Sequence, residues 1–211
     1  MELESLIFDM DGTLWDSADN VAESWNRVIS KLDDIDITLT GDDIKGVMGL
    51  PMDVIASKFF ADVAPKRQME IMDMCGEYEN EFLAAHGGQI YDGLEAALEE
   101  LSGNHRLFIV SNCQSGYIEA FLEYYGFEKY FEDILCWGDN CMMKGDNIKN
   151  IMEKNGVNPE TTAYVGDIQG DCDSAYYAGT KFIHAAYGFG SVDRCDARIN
   201  SITELVDLVC K

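Results

Sequence analysis

The sequence predicts an α/β fold: a Rossmann-like parallel sheet with helices on both faces and an inserted α-helical cap. Three observations lead there. Short apolar runs recur along the 211 residues, each followed by a helical pattern. Such runs suit strands buried on both faces, as parallel strands are. Residues 16–86 break the alternation and carry only helical patterns. Finally, the runs end in polar residues, which an open α/β sheet gathers along one edge.

Taken in chain order, Leu6-Ile7-Phe8 is the first run. In the stretch after it, Val21, Trp25, Val28, Ile29 and Leu32 share one helical stripe, and residues 70–83 make a second long helical stretch. Pro51 and Pro65 suit helix starts, where a missing N–H is harmless. The expected division is a core of residues 1–15 and 87–211 with a cap of residues 16–86. The core resumes with a helix through Leu94, Ala97, Leu98 and Leu101. Leu107 to Val110 is the next buried run, and Tyr117, Ile118, Phe121, Leu122 and Tyr125 form the helix stripe behind it. Ile134 to Trp137, Ala163 to Val165 and Phe182 to Ala186 complete the strands. Phe8, Trp15 and His184 read as packing residues.

Charge narrows the range of partners. Thirty-nine acids against fifteen Lys and Arg leave a formal charge of −24. That surface repels phosphate backbones and anionic lipids, so neither nucleic acid nor a membrane is expected. No run is long enough to span a bilayer, and the start lacks the basic flank of a leader. Seven scattered cysteines suit a reduced, cytoplasmic protein. Cys136 and Cys141 have no matching second pair of the kind a zinc site uses.

The strand ends carry the chemistry. Asp9-Met10-Asp11-Gly12-Thr13 follows the first run, Ser111-Asn112 the second, Lys144 lies in a loop beyond the third, and Gly166-Asp167 with Asp171 follows the fourth. Two carboxylates as near as Asp9 and Asp11 repel unless a cation or a shared proton relieves them. Asp167 completes an oxygen cage suited to Mg²⁺, and Asp171 supports it. Lys144 offers a compact positive charge, Ser111 a hydroxyl, and backbone N–H groups around Gly12 an anion cradle. Asp173 reads as a turn or helix cap.

These segments resemble the haloacid dehalogenase superfamily of phosphohydrolases. Residues 9–13 are similar to its first motif, Ser111 to its second, Lys144 to its third, and Gly166-Asp167 with Asp171 to its fourth. Gly49-Leu50-Pro51-Met52 and Tyr91-Asp92-Gly93 look closest to phosphoglycolate-phosphatase-like and β-phosphoglucomutase-like members. Gly145, Asp92 and Ile168 depart from that pattern, standing where Pro, Pro and a hydroxyl residue are common. The resemblance implies an Mg²⁺-dependent phosphatase acting on a small phosphorylated metabolite. Asp9 would be the nucleophile and Asp11 the acid–base. Ser111 and Lys144 would act on the phosphoryl group, with Gly12, Thr13 and Asn112 binding it. Asp9, Asp11, Asp167 and Asp171 would serve the metal. Gly46, Gly49 and Lys58 are candidates in the cap. Asp11 favours cleavage of a P–O bond to an alcohol over dehalogenation. A phosphosugar mutase and a non-catalytic phosphate-binding regulator are the alternatives, and a monomer or homodimer the expected assembly.

Overall fold

The computed structural model describes residues 1–210. Its elements are β1 (Ser5–Phe8), β2 (Trp15–Asp16), α1 (Ala18–Ile29), α2 (Gly41–Lys45), α3 (Met52–Phe59), α4 (Pro65–His86) and β3 (Gln89–Ile90). They continue with α5 (Leu94–Asn104), β4 (Arg106–Ser111), α6 (Tyr117–Tyr125), β5 (Asp133–Cys136), α7 (Trp137–Asn140) and α8 (Lys144–Asn155). The last are β6 (Thr162–Gly166), α9 (Gln169–Ala178), β7 (Lys181–Ala185), β8 (Ala197–Ile199) and α10 (Ile202–Val209).

Six strands form one sheet in the order β5-β4-β1-β6-β7-β8. Every pairing in it is parallel, with Phe8 opposite both Ile109 and Val165. The sheet is covered on both faces. Leu6 and Phe8 point into one apolar cluster with α5, α6 and α10. Ile7, between them, points into the other with α8 and α9. This alternation explains why the strands read as unbroken apolar runs. After β1 the chain builds outward through β4 and β5, then returns to β6 on β1's other side. The crevice that ligands use in open sheets therefore opens at the end of β1.

Helices α1 to α4 lie between β2 and β3, a two-residue antiparallel ribbon pairing Trp15 with Ile90. α1 packs on α4 and α2, α3 packs on α4, and α4 packs on α6 of the core. Val21, Trp25, Ile71 and Cys75 belong to the same apolar cluster as Leu6 and Phe8. Pro65 opens α4, and Pro51 directly precedes α3. No helix among the described residues is long and apolar enough to cross a membrane.

Two local expectations differ from the structure. Lys144 is not a loop residue; it is the first residue of α8 and only 2% exposed. Its ammonium is drawn inward by Asp9, just past β1, and by Asp171 in α9. Asp173 lies inside α9 rather than at its start, where it accepts from Gln169 Nε2 at 2.9 Å.

Candidate active site

The carboxyl ends of the central strands bring Asp9, Ser111, Asp167 and Asp171 to one edge, with Lys144 beneath. Asp9 follows β1 directly, and its N–H donates to the Val165 carbonyl at 2.9 Å. Lys144 Nζ donates to Asp9 Oδ1 at 2.9 Å and to Asp171 Oδ1 at 2.6 Å. Asp9, Asp167 and Asp171 each place a carboxylate oxygen within 4.8 Å of the others. Three buried oxygen donors, without nitrogen or sulfur, suit a hard cation such as Mg²⁺. Asp171 also accepts from the Asp167 and Ile168 N–H groups at 3.0 and 3.1 Å, which starts α9.

Crowding these acids together has an electrostatic cost. Burial, then the Asp171 charge, raises the Asp9 carboxyl to about 7, although Lys144 opposes the shift. Burial, with Asp171 and Asp9, likewise raises Asp167 to about 8. Burial works against the Lys144 charge, but Asp171 and Asp9 outweigh it and its pKa rises. A divalent cation among the three carboxylates would relieve their mutual repulsion.

Asp11 is not part of this trio. Its Oδ1 accepts from Ser17 Oγ at 2.8 Å and from Tyr117 OH at 2.6 Å. Burial raises its carboxyl to about 6, while the Tyr117 and Ser17 hydrogen bonds pull the other way. That range suits a group that gives and takes protons near neutrality. The structure therefore sets the Asp11 side chain apart from the metal-type cluster to which it was assigned above.

The chain passes very close to Asp167. Gly12 has φ +78°, and a Cβ there would lie 2.2 Å from Asp167 Oδ2, so only glycine fits. A Cβ on Gly188 would lie 2.4 Å from the Asp167 Cβ. The Phe189 N–H donates to Asp167 Oδ2 at 2.6 Å. His184 is buried in β7, with Nε2 3.2 Å from the Asp167 carbonyl. Thr13 is buried, and its Oγ1 has no hydrogen-bond partner among the described residues. Asn112 Nδ2 donates to the Gly49 carbonyl at 2.9 Å, joining core to helical insert.

A cavity of about 60 Å³ lies between the sheet edge and the insert. Asp9, Asp11, Ser111 and Asn112 line it from the core. Gly49 lines it from the insert, and Gly46 and Lys58 do not. Glu79 and Trp25 also line it, and sequence reasoning had missed Glu79. A signal was present: Ile71, Met72, Cys75, Phe82 and Leu83 form the buried face of α4, and Glu79 falls on that face. An acid on an apolar stripe is a functional candidate. Glu79 takes a short hydrogen bond from Trp25 Nε1. Tyr117, part of the apolar stripe of α6, also donates to Asp11.

The chain is similar to several known proteins. The haloacid dehalogenase-like hydrolase family profile matches residues 6–185. The phosphoglycolate phosphatase of Vibrio parahaemolyticus is 26% identical over 223 aligned positions, covering 99% of this chain and 96% of that protein. A 5'-nucleotidase of Pseudomonas aeruginosa is 24% identical, covering 92% and 87%. Among solved structures, a haloacid dehalogenase-like family hydrolase of Streptococcus pneumoniae superposes with a TM-score of 0.83 at 20% identity, covering 98% of each chain.

Proposed function

The chain belongs to the haloacid dehalogenase-like hydrolase family, and from that premise we propose an Mg²⁺-dependent phosphatase that hydrolyses a small phosphate monoester through an aspartyl-phosphate on Asp9. One observation carries the reading. Asp9 stands at the end of the central strand with Lys144 2.9 Å away, and with Asp167 and Asp171 gathered within 4.8 Å. The curated relatives named for phosphoglycolate and nucleotide phosphate cleavage support the same reaction class.

In this reading an Asp9 oxygen attacks phosphorus, and the P–O bond to the alcohol breaks. Asp11 gives its proton to the departing alkoxide. Asp11 then takes a proton from the water that attacks the aspartyl-phosphate, which releases phosphate and restores Asp9. Acid–base assistance of this kind contributes ~10²–10⁴ in rate. Ser17 and Tyr117 hold Asp11 in place by its Oδ1. Lys144 and Ser111 bind non-bridging oxygens, and Gly12, Thr13 and Asn112 surround the same group. The unpartnered Thr13 Oγ1 is free to bond there. Asp9, Asp167 and Asp171 would hold Mg²⁺, whose positive charge would offset charge on the transferring phosphoryl group. Residues 16–86 act as a cap that shields the reaction from bulk water.

The test is turnover of p-nitrophenyl phosphate with Mg²⁺. Wild type is expected to hydrolyse it, and Asp9→Asn to lose about 10³-fold or more. An Asp9→Asn variant working at the wild-type rate would mean that another group is the nucleophile.

A further inference from the structure

Charge around the cavity constrains what the leaving alcohol can be. On the insert side the wall is apolar, with Val21, Trp25, Val47 and Ile55, and Glu79 is set among them. Among the described residues, no Lys, Arg or His lines the cavity. Lys144, at the strand ends, is engaged by Asp9 and Asp171. Lys45 of α2 is held by Asp16 at 2.6 Å. Arg27 and Arg67 pair with Glu23 and Asp34 on the outer surface. A carboxylate entering this space would shed its water, find no counter-ion and face the Asp11 carboxyl.

A hydroxyl fares differently. Glu79 is only 3% exposed, and Trp25 engages its Oε2. Burial holds its carboxyl up to about 8, so near neutrality the side chain meets a substrate as an uncharged acid.

We propose that the enzyme selects phosphate monoesters of small, uncharged alcohols, and that Glu79 determines this choice through a hydrogen bond with a hydroxyl of the alcohol. The inference rests on the phosphatase reading above and narrows it. It separates this chain from relatives named for phosphoglycolate, whose leaving alcohol carries a carboxylate.

Two nearly isosteric esters decide the matter: 2-hydroxyethyl phosphate, ending in a hydroxyl, and 2-phosphoglycolate, ending in a carboxylate. With saturating Mg²⁺ at neutral pH, wild-type kcat/KM is expected to favour the hydroxyl ester by about tenfold or more. Glu79→Gln, which keeps size and a neutral hydrogen-bonding end group, should hold that ratio within about threefold. Glu79→Leu, used where its thermal melt remains cooperative, should shrink it by about tenfold. Phosphoglycolate hydrolysed as fast as the hydroxyl ester, or faster, overturns the substrate class. A ratio that Glu79→Leu leaves unchanged, or that Glu79→Gln abolishes, overturns the role of Glu79. If neither ester nor p-nitrophenyl phosphate is hydrolysed, the phosphatase reading itself fails, and the inference with it.

Discussion

Glu79 also ties stability to pH. Its carboxyl is held up to about 8 from its usual 4.5, chiefly by burial, with the Trp25 hydrogen bond opposing. The folded state therefore binds a proton that the unfolded chain gives up at lower pH. Stability from this group is full below about 4.5 and is lost as pH rises towards about 8. Gln cannot ionise and removes the slope. Calorimetry of metal-free protein should show Glu79→Gln gaining on wild type between about pH 5 and pH 8, by roughly 3–4 kcal/mol. A difference that stays flat over this window would show that Glu79 is not held protonated. Single residues were unevenly legible in the sequence. Asp9, Ser111 and Asp167 stand where an apolar run stops, so strand patterning alone finds them. Glu79 and Tyr117 sit within helical stripes, where position on a face is visible but the neighbour across the cavity is not.

Among the elements, the junction between core and insert has the clearest measurable consequence. Asn112, just past β4, reaches across to the Gly49 carbonyl. Ile168, before α9, packs against Gly49 so closely that a Cβ there would lie 2.4 Å from its Cδ1. These contacts hold the insert against the strand ends. A neutral hydrogen bond of this kind is worth about 0.5–1.5 kcal/mol. Asn112→Ala is therefore expected to raise KM by about two- to tenfold and to leave kcat within about twofold. Steady-state kinetics on 2-hydroxyethyl phosphate provide the check. A fall in kcat at constant KM would move Asn112 from joining the insert to assisting the chemistry. Helices long enough to show several turns of pattern, such as α1 and α4, were readable. The β2–β3 ribbon was not, since strands of two residues carry no period. The start of α8 escaped for a different reason: its first buried residue is a lysine, held by acids distant in sequence.

On the scale of the molecule, the charge of −24 acts on every approach of a phosphate ester. Repulsion between an anionic enzyme and an anionic substrate slows encounter and is screened by salt. At fixed saturating Mg²⁺, raising NaCl from ~10 to ~150 mM should increase kcat/KM by about two- to fivefold. A decrease would mean that a local positive field steers the substrate despite the overall balance. The parallel sheet and its two covered faces were legible because each strand is buried on both sides and so reads as a continuous apolar run. The edge strand β8 was not, being three residues long with an exposed Arg198 at its centre.

The place of β1 in the sheet also sets a timetable. Its partners β4 and β6 begin at Arg106 and Thr162, so β1 is synthesised before both of its neighbours and waits for them. At ~5–20 residues per second the second neighbour arrives roughly 8–30 seconds after the first strand is made. The helices between β2 and β3 are complete long before that. The nascent chain thus completes its guest before its host, and the segment bearing Asp9 spends that interval with at most one of its two neighbours, an apolar edge within reach of chaperones.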